Sequence, residues 1–361
     1  MDNSTITSNT DNTSCNGTFQ VSSDNFSTCV QMGAAPSITN YSQTFSVTPK
    51  DNLSSGETYK ILISTGVKDS KGNAIAIQYT QSTGFHTIYT LPDTGQTDNY
   101  TNTFGEDSDY TINPPSFTNN DDGTVTDNNT NLMWQSQDDG SSRSWSEAES
   151  NCSNLTLADY SDWRLPETEE LQTIVDYGPI STAIDTSYFS STSRAYYWSN
   201  TDVVSSTRAW IVSFDAGTVD NSEKSNSYYS RCVRGNSNTP SFFDNNNGTV
   251  TDKKTGMVWQ KEDDGTDRTW ESSLIYCEGL VLGGKSDWRL PNIKELGFIV
   301  NRKTNPAVYT TYFPENTLAY WSSTTFAEET SRSFITSFGW GQINYSPFKT
   351  ESHYARCVRS D

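Results

Sequence analysis

The sequence is poor in the residues that most enzymes and membrane proteins need. Its 361 residues include two histidines, His86 and His353, and no run of 18 apolar residues. The first scarcity argues against zinc sites and histidine-dependent catalysis, and the second against a membrane-spanning helix. Lysine and arginine are also scarce, with 24 of them against 44 aspartates and glutamates and a formal charge of −20. Such a charge disfavours nucleic acid and anionic membranes as partners.

Common catalytic motifs are missing as well. No His-Glu-x-x-His, Cys-x-x-Cys or Gly-x-Ser-x-Gly segment occurs. The adjacent acids Glu169 and Glu170, or Glu328 and Glu329, could be drawn as a glycosidase pair, but neighbouring side chains face different ways and acids are abundant in this chain. We therefore expect no enzymatic activity, with a secreted hydrolase as the alternative.

The sequence instead contains one long pattern of residues that occurs twice. Each copy runs from a Gly-Thr-Val-Thr-Asp turn through two tryptophans, a cysteine, an Asp-Trp-Arg-Leu-Pro block and a Tyr-Trp-Ser block to Arg-Cys-Val-Arg. The first copy occupies residues 116–236 and the second residues 240–361. The register slips by two residues only at the Tyr-Trp-Ser block. Two copies that hold register this well predict two domains of one fold.

Six cysteines divide evenly over the chain, two in each copy at the same spacing and two near the start. One pair per domain predicts three intradomain disulfides and an oxidising compartment, whereas the alternative is six buried thiols. The predicted pairs are Cys15–Cys29, Cys152–Cys232 and Cys277–Cys357. No signal peptide is visible, so we expect that a leader was removed and that Met1 is not the natural start.

Local patterns give a coarse secondary structure. Residues 44–48 and 59–63 alternate apolar and polar side chains, which predicts strands within an N-terminal domain of residues 1–95. Residues 96–115 are polar and predict a linker or lead-in strand. Each copy then predicts a hairpin, a helix opened by a capping box, a second short helix after a proline, and antiparallel strands. This order favours an α+β fold for each copy.

The N-terminal domain resembles the bacterial Ig-like domain of the Big_5 type. The resemblance rests on Met1-Asp2-Asn3-Ser4-Thr5, Ser46-Val47-Thr48-Pro49 and the stretch from Gly66 to Asn73. It implies an all-β sandwich in which a first strand precedes the Met-Asp-x-Ser-Thr run. This chain begins without that strand, so we expect a truncated fragment or a strand supplied by another chain. Cys15 and Cys29 would then tie an insert between strands.

The repeated blocks resemble the DUF1566 family, also called the Lcl C-terminal domain. The resemblance covers residues 115–235 and 240–360 and implies an α+β fold related to C-type lectins, with surface-exposed binding rather than catalysis. An adhesin of the family binds sulphated glycosaminoglycans, but this acidic chain lacks the basic surface that such a ligand needs. Some members are targets of diversity-generating retroelements that vary the C-terminal strands, and Tyr320 to Arg356 match that region.

Residues shared by the copies are expected to build the frame, and residues that differ are expected to bind ligand. The shared tryptophans predict a core, and Arg164 and Arg289 predict ion pairs with carboxylates. Exposed positions that change within a constant frame are typical of binding surfaces, although drift between duplicated domains gives the same pattern. The candidate ligand-binding residues are Asp215, Asn221 and Tyr228 in the first copy and Phe326, Glu328, Trp340, Gln342, Asn344, Tyr345, Phe348 and His353 in the second.

Calcium is the only cofactor that the sequence suggests. Oxygen side chains alternate before Gly123 and Gly248, which resembles half of a calcium loop. The alternative is an ordinary turn rich in Asp and Asn. The candidate ligands are Asp121, Asp127, Asp244 and Asp252.

These observations predict an adhesin-like or receptor-like protein, outside the cell or on a bacterial or archaeal cell surface. Its ligand would be a protein or a glycan, bound mainly by the variable face of the C-terminal copy. The alternative is a structural subunit of a surface appendage or filament. Its domains would then bind each other, because an Ig-like sheet without its first strand has an open edge for strand donation.

Overall fold

The computed structural model describes residues 2–39, 44–51, 53, 57–178, 182–237, 239–314, 318–345 and 347–360. The chain divides into two units, Met1–Tyr89 and Thr90–Asp361. No helix in these residues is long and apolar enough to cross a membrane.

The first unit is built from short antiparallel strands. The central strand is β4, which pairs with β1 on one side and with β5 and β6 on the other. The strands are β1 (Phe19–Ser22), β2 (Ser37–Thr39), β3 (Thr44–Ser46), β4 (Thr58–Ile63), β5 (Tyr79–Thr80) and β6 (Phe85–His86). Strands β2 and β3 form a separate ribbon. The strands predicted over residues 44–48 and 59–63 are confirmed as β3 and β4.

The core of this unit is small, and a disulfide braces it. Val21, Met32 and Tyr59 are buried together. Cys15 and Cys29 lie on either side of β1 with 5.0 Å between their Cα atoms, so the predicted bond is confirmed. A core of this size gives modest stability, and closing a loop of 14 residues adds about 3 kcal/mol in the chain-entropy model.

The second unit contains both copies, and within the described residues each copy supplies two short helices and seven strands. The first copy comprises β7 (Phe117–Asn119), β8 (Thr124–Asp127), β9 (Met133–Gln135), α1 (Trp145–Ser153), α2 (Thr168–Thr173), β10 (Tyr196–Asp202), β11 (Arg208–Ser213), β12 (Val219–Glu223) and β13 (Val233–Arg234). The second comprises β14 (Phe242–Asp244), β15 (Thr249–Asp252), β16 (Val258–Gln260), α3 (Trp270–Glu278), α4 (Ile293–Phe298), β17 (Ala319–Thr325), β18 (Ser333–Ser337), β19 (Ile343–Asn344) and β20 (Val358–Arg359).

Each copy begins with the predicted hairpin, and its last strand returns to that hairpin. The sheets have the order β13-β9-β8-β7 in the first copy and β14-β15-β16-β20 in the second. The Cys152–Cys232 and Cys277–Cys357 disulfides join the first helix of each copy to the segment that enters the last strand. Both bonds were predicted and are confirmed. Each loop of 80 residues should contribute about 4–5 kcal/mol in the chain-entropy model.

The remaining six strands form one sheet that both copies share. Its order is β10-β11-β12-β19-β18-β17, so the three-stranded meander of each copy joins the other through β12 and β19. Val219 lies opposite Ile343 where these two strands pair, and we call this pairing the junction. Both copies therefore lie within one compact unit and share a sheet.

The predicted pair of α+β, C-type-lectin-like domains is wrong. The protein is mostly β, helix accounts for only about 10% of it, and its four larger sheets are antiparallel. The capping signals that suggested helices are real, since the N–H and Oγ of Ser144 both donate to Glu147. A cap marks where a helix begins and not how long it runs, and these helices end after six to nine residues.

Helices α2 and α4 pack on each other and on the shared sheet. Gly297 lies within α4, where a Cβ atom would come within 2.8 Å of the Gln172 side chain of α2. Arg302 follows α4 and is fully buried, donating to the Gly341 carbonyl at 3.0 Å and to Glu169 of the first copy at 2.7 Å. These contacts hold the copies together across the junction.

Residues 96–115, predicted as a linker or lead-in strand, belong to the second unit. We call residues 90–113 the lead-in segment. Its Gln96 side chain accepts a hydrogen bond from the Thr325 N–H and donates one to the Thr325 carbonyl, both at 2.9 Å. Thr94 accepts from the Tyr177 N–H at 2.9 Å, so the segment contacts both copies.

Two buried carboxyl groups anchor the lead-in segment. Asp107 accepts hydrogen bonds from Thr94 and from Thr324 of β17. Asp93 accepts from Asn292 at 3.1 Å, and its backbone carbonyl accepts from Lys294 at 2.7 Å. Burial, with the nearby Asp93, raises the pKa of Asp107 to about 8. A segment with such contacts is part of the fold and not a spacer.

Candidate ligand-binding face

The residues repeated in both copies form the frame, as predicted. Arg164 donates to both carboxylate oxygens of Glu170 at 2.7 Å, and Arg289 binds Glu295 in the same way at 2.7 and 2.6 Å. Six of the shared tryptophans are almost completely buried, as a core requires; they are Trp134, Trp163, Trp198, Trp259, Trp288 and Trp321.

A second repeated cluster is buried behind each hairpin. Arg231 is fully buried and donates to the carbonyl groups of Gln135 and Ser136 at 2.7 and 2.9 Å. Its second nitrogen lies 3.4 Å from Asp138, which also accepts a 2.6 Å hydrogen bond from the Tyr197 hydroxyl. Arg356, Asp263 and Tyr320 repeat this arrangement in the second copy. Asp138 and Asp263 are thus occupied in the interior.

The acids proposed for calcium stabilise turns. Asp127 is buried and accepts from Thr130 Oγ1 at 2.7 Å and from the Asn129 N–H at 2.9 Å. Asp252 repeats these contacts with Thr255 and Lys254, at 2.8 and 3.1 Å.

Burial raises the pKa of Asp127 and of Asp252. Asp244 pairs with Lys261 at 2.7 Å, whereas Asp121 is exposed in its turn. Within the described residues no group of three or more His, Cys, Asp or Glu side chains is placed to hold a metal ion.

The groups considered for catalysis also have structural neighbours. The His353 ring packs edge-on against Trp321 with 4.7 Å between centroids, and burial lowers its pKa. Glu169 pairs with Arg302 at 2.7 Å, and Glu329 pairs with Arg332 at 2.7 Å. Glu169 and Glu329 are thus ion-paired with arginine.

Several predicted ligand-binding residues lie at the junction. Gln342 of the second copy donates to Asp220 of the first at 2.6 Å. Asn344 belongs to β19 and Asn221 to β12, and both are half-buried.

Phe326 and Tyr345 form a stack rather than two separate exposed contacts. Their ring centroids lie 3.8 Å apart, and Phe334 packs edge-on against Phe326 at 5.8 Å. Phe326 is only 8% exposed, so its side chain belongs to the core. Tyr345 is half-buried and keeps some surface towards solvent.

Tyr345 also lines a groove that is otherwise made by the first copy. Its volume is about 400 Å³. We call it the tyrosine groove; its main lining residues are Arg194, Tyr196, Asp215, Tyr228, Tyr229 and Tyr345. Asp215, Tyr228 and Tyr345 were predicted from the sequence, and the fold brings these three together.

The Arg194 guanidinium of the tyrosine groove pairs with carboxylates of both copies. Arg194 donates to Asp215 at 2.7 Å and lies 3.4 Å from Glu328 of the second copy. Arg194 and Asp215 are each about half exposed, at 48% and 52% of their side chains. Tyr196 and Tyr228 meet edge-on with 5.8 Å between centroids. The groove therefore offers aromatic surface beside a solvent-accessible ion pair.

Two predicted aromatic residues lie outside this groove. Trp340 is 73% exposed in the turn between β18 and β19. Phe348 is 41% exposed and is covered on one side by the Arg332 guanidinium, 3.8 Å from the ring centroid. Trp340 is thus an aromatic side chain that is available to a partner.

Sequence reasoning missed Arg194, Tyr196 and Tyr229. One signal was present, because Arg194 and Tyr196 directly precede the Tyr197-Trp198-Ser199 block at which the register slips. A change in loop length between two copies of a constant frame marks a position at which the surface has diverged. Tyr229 occupies the same position as Tyr354, so a comparison of copies could not single it out.

Known family models match the N-terminal domain and each of the two copies. A family model for the Lcl C-terminal domain matches residues 123–234 and again residues 248–359. A model for a bacterial Ig-like domain, Big_5, matches residues 3–87. The resemblances to the Lcl C-terminal domain and to the Big_5 domain are therefore confirmed. No curated protein matches the chain.

Proposed function

Because the chain belongs to the Lcl C-terminal domain family, we propose that it is an extracellular or cell-surface binding protein whose principal ligand site is the tyrosine groove. Three disulfides support an oxidising location, since such bonds persist outside the cytosol. The observation that carries the proposal is the half-exposed Arg194–Asp215 pair among four tyrosines.

The lining suits recognition. Tyrosine combines a large, rigid apolar surface with a hydroxyl group and loses little conformational entropy on binding. A groove of about 400 Å³ falls within the range of small-ligand sites, which usually combine aromatic walls with a few polar groups. The Arg194–Asp215 pair supplies directional donors and acceptors in the wall.

The position of the groove adds to this argument. Tyr345 and Glu328 reach it from the second copy, whereas its other main residues come from the first. The site is thus complete only when the two copies are joined. The recognition site that we propose therefore lies beside the junction, which is a narrower location than the whole variable face of the C-terminal copy.

We propose binding without catalysis. Glu170 is held by Arg164 through two hydrogen bonds, and Glu169 by Arg302. Carboxylate oxygens that already accept hydrogen bonds from arginine have fewer positions left for a substrate. Turnover of glycoside or ester substrates by the purified chain, abolished by Glu169→Gln, would contradict this part of the proposal.

A pair of matched variants tests the site. Arg194→Gln removes the cation of the groove, and Arg208→Gln removes an arginine of similar exposure that pairs with Glu223 elsewhere. The fluorescently labelled chain is titrated onto bacterial cell envelopes and onto immobilised glycan and protein panels. We expect saturable binding that Arg194→Gln weakens by about tenfold or more and Arg208→Gln leaves unchanged. Equal effects of the two variants, or no saturable binding, would overturn the assignment.

The alternative of a filament or appendage subunit has one supporting observation. Strand β5 has β4 as its partner among the described residues, and both of its side chains are exposed. Ile77 and Tyr79 are 82% and 55% exposed. An exposed apolar edge strand is a template for pairing with another chain. Sedimentation of the full chain over a wide concentration range, with Tyr79→Lys as control, distinguishes a monomer from an assembling subunit.

A further inference from the structure

The shared sheet has an approximate twofold axis at the junction. Val219 and Ile343 occupy equivalent positions in β12 and β19, and they lie directly opposite each other in an antiparallel pair. The neighbouring strands repeat the pairing, with Val212 opposite Val219 and Thr336 opposite Ile343. Equivalent residues that face each other in this way are related by an axis normal to the sheet. The two copies therefore present equivalent positions on the same face.

The two faces of the sheet differ. Val212, Val219 and Ile343 are buried in the cluster that also contains residues of α2 and α4. Because side chains alternate along a strand, Asp220 and Asn344 lie on the opposite face. Both are half-buried.

The centre of that opposite face is polar. We call its half-buried residues the polar strip; they are Thr218, Asp220, Ser337, Gln342 and Asn344. The strip crosses the junction, since Gln342 donates to Asp220 of the other copy at 2.6 Å.

Each end of the polar strip has an aromatic flank. In the first copy the flank is the tyrosine groove, where Ala216 contributes from the turn before β12. The turn before β19 places Trp340 at the equivalent position, and Trp340 is 73% exposed. Tyr228 of the groove has His353 as its counterpart, because each pairs with the equivalent arginine, Arg143 or Arg268.

We propose that the polar strip and its two flanks form one continuous site for a linear, neutral oligosaccharide that lies across the strands and contacts both copies. This inference rests on the proposed function, since it extends the tyrosine groove. The turn before β12 and the turn before β19 are separated by these two strands and their neighbours, β11 and β18, so the path across them is about 14 Å at a strand spacing of about 4.8 Å. A chain of several sugar residues would be needed to reach from the tyrosine groove to Trp340.

The aromatic and polar side chains of the site favour a neutral saccharide as the ligand. Sugars present apolar C–H faces to aromatic rings and hydroxyl groups to amide, hydroxyl and carboxylate side chains, and flanks and strip supply both kinds of partner. Arg194 already faces two carboxylates, Asp215 and Glu328. An anionic glycan would therefore meet a net negative wall in a chain of charge −20.

A peptide strand is disfavoured for a different reason. Strands β12 and β19 pair with neighbours on both sides, β11 and β18 as well as each other. The centre of the sheet thus has no unpaired backbone edge to which an extended peptide could add.

Isothermal titration calorimetry with the full chain tests the proposal. The probes are cellohexaose, maltohexaose, laminarihexaose and chitohexaose, each compared with its own disaccharide, together with a heparin-derived hexasaccharide and a proline-rich decapeptide. We expect at least one neutral hexasaccharide to bind at least tenfold more tightly than its disaccharide. Arg194→Gln and Trp340→Ala should each weaken that hexasaccharide by about tenfold. The controls Arg208→Gln and Val281→Ala, which match them in exposure, should not.

The possible contrary outcomes would overturn different parts of the proposal. Binding of the heparin fragment or the peptide, sensitive to Arg194→Gln, would overturn the neutral saccharide and leave the proposed binding function intact. A hexasaccharide that binds no better than its disaccharide, and does not respond to Trp340→Ala, would overturn the continuous site. No binding of any neutral probe would overturn the oligosaccharide assignment, whereas the cell-envelope titration decides the proposed function separately.

Discussion

The two copies differ where the second short helix begins. In the first copy the residue before α2 is Glu167, which accepts a hydrogen bond from Thr201 at 2.8 Å. In the second copy the residue before α4 is Asn292, and the carboxyl group that accepts from the equivalent Thr324 is Asp107 of the lead-in segment. The first copy supplies this acceptor from its own residues. In the second copy the acceptor comes from the lead-in segment, which precedes the first copy in the sequence.

This difference shows how a duplicated fold loses its symmetry. The residues that stabilise each copy internally are the same in both copies. They include the Arg–Asp–Tyr cluster and the disulfide. The residues that join the copies have changed, and Arg302 stands where the first copy has Tyr177. Shared residues therefore report on the stability of each half, whereas differing residues report on the joint and the surface.

The largest expected effect tests the shared frame. Arg231→Met and Arg356→Met each remove a fully buried guanidinium from its carbonyl and carboxylate partners. Breaking a buried pair costs about 3–5 kcal/mol, so urea denaturation should show a loss of this size for each variant. A much smaller loss in one copy would show that the two clusters are not equivalent in energy.

A smaller effect is expected at the joint. Arg302→Met leaves Glu169 partly buried without its cation and removes a bond to the Gly341 carbonyl, so we expect a loss of about 3 kcal/mol. Hydrogen exchange of the β12 and β19 amide groups should accelerate in the same variant. The control is Lys303→Met, whose 63% exposed side chain pairs with Glu167 and should contribute less than about 1 kcal/mol.

Asp107 of the lead-in segment should make the free energy of unfolding depend on pH. The folded state keeps the Asp107 proton up to its pKa of about 8, whereas the unfolded chain releases it near 3.8. Between these values the folded state binds more protons, so the Asp107 contribution to the free energy of unfolding falls as pH rises and is lost above pH 8. Urea denaturation at pH 5 and pH 8 should show a smaller difference for Asp107→Asn than for the original chain. An unchanged difference would show that Asp107 is ionised throughout.

The smallest effect is expected at the surface. Trp340→Ala should change the free energy of unfolding by less than about 0.5 kcal/mol, because its side chain is 73% exposed. Trp321→Ala, at a fully buried position, should cost about 3–5 kcal/mol. If Trp340→Ala destabilised the chain as strongly, a loss of binding in that variant could not be attributed to the loss of a contact with the ligand.

Much of the frame could be predicted from the sequence, because its signals are local or repeated. The disulfides followed from an even number of cysteines at equal spacing, and the strands and hairpins followed from alternation and turn residues. The shared sheet could not be predicted, since the two-residue strand β19 carries almost no pattern of its own. Its pairing with β12 depends on the packing of α2 against α4, which only the folded chain reveals.

The tyrosine groove was predictable in part for a related reason. Asp215, Tyr228 and Tyr345 were found as differences between the copies. Phe326 differs too, yet the fold buries it at the joint. Divergence alone cannot tell a residue that meets a ligand from one that meets the other copy.

The Gln96 side chain, which pairs with the Thr325 backbone as a neighbouring strand would, has a consequence for the history of the molecule. The segment that completes the second copy lies before the first copy in the chain. A gene rearrangement that moved either copy alone would separate it from contacts that it needs. Residues 90–361 should therefore be inherited and exchanged between genes as one indivisible cassette.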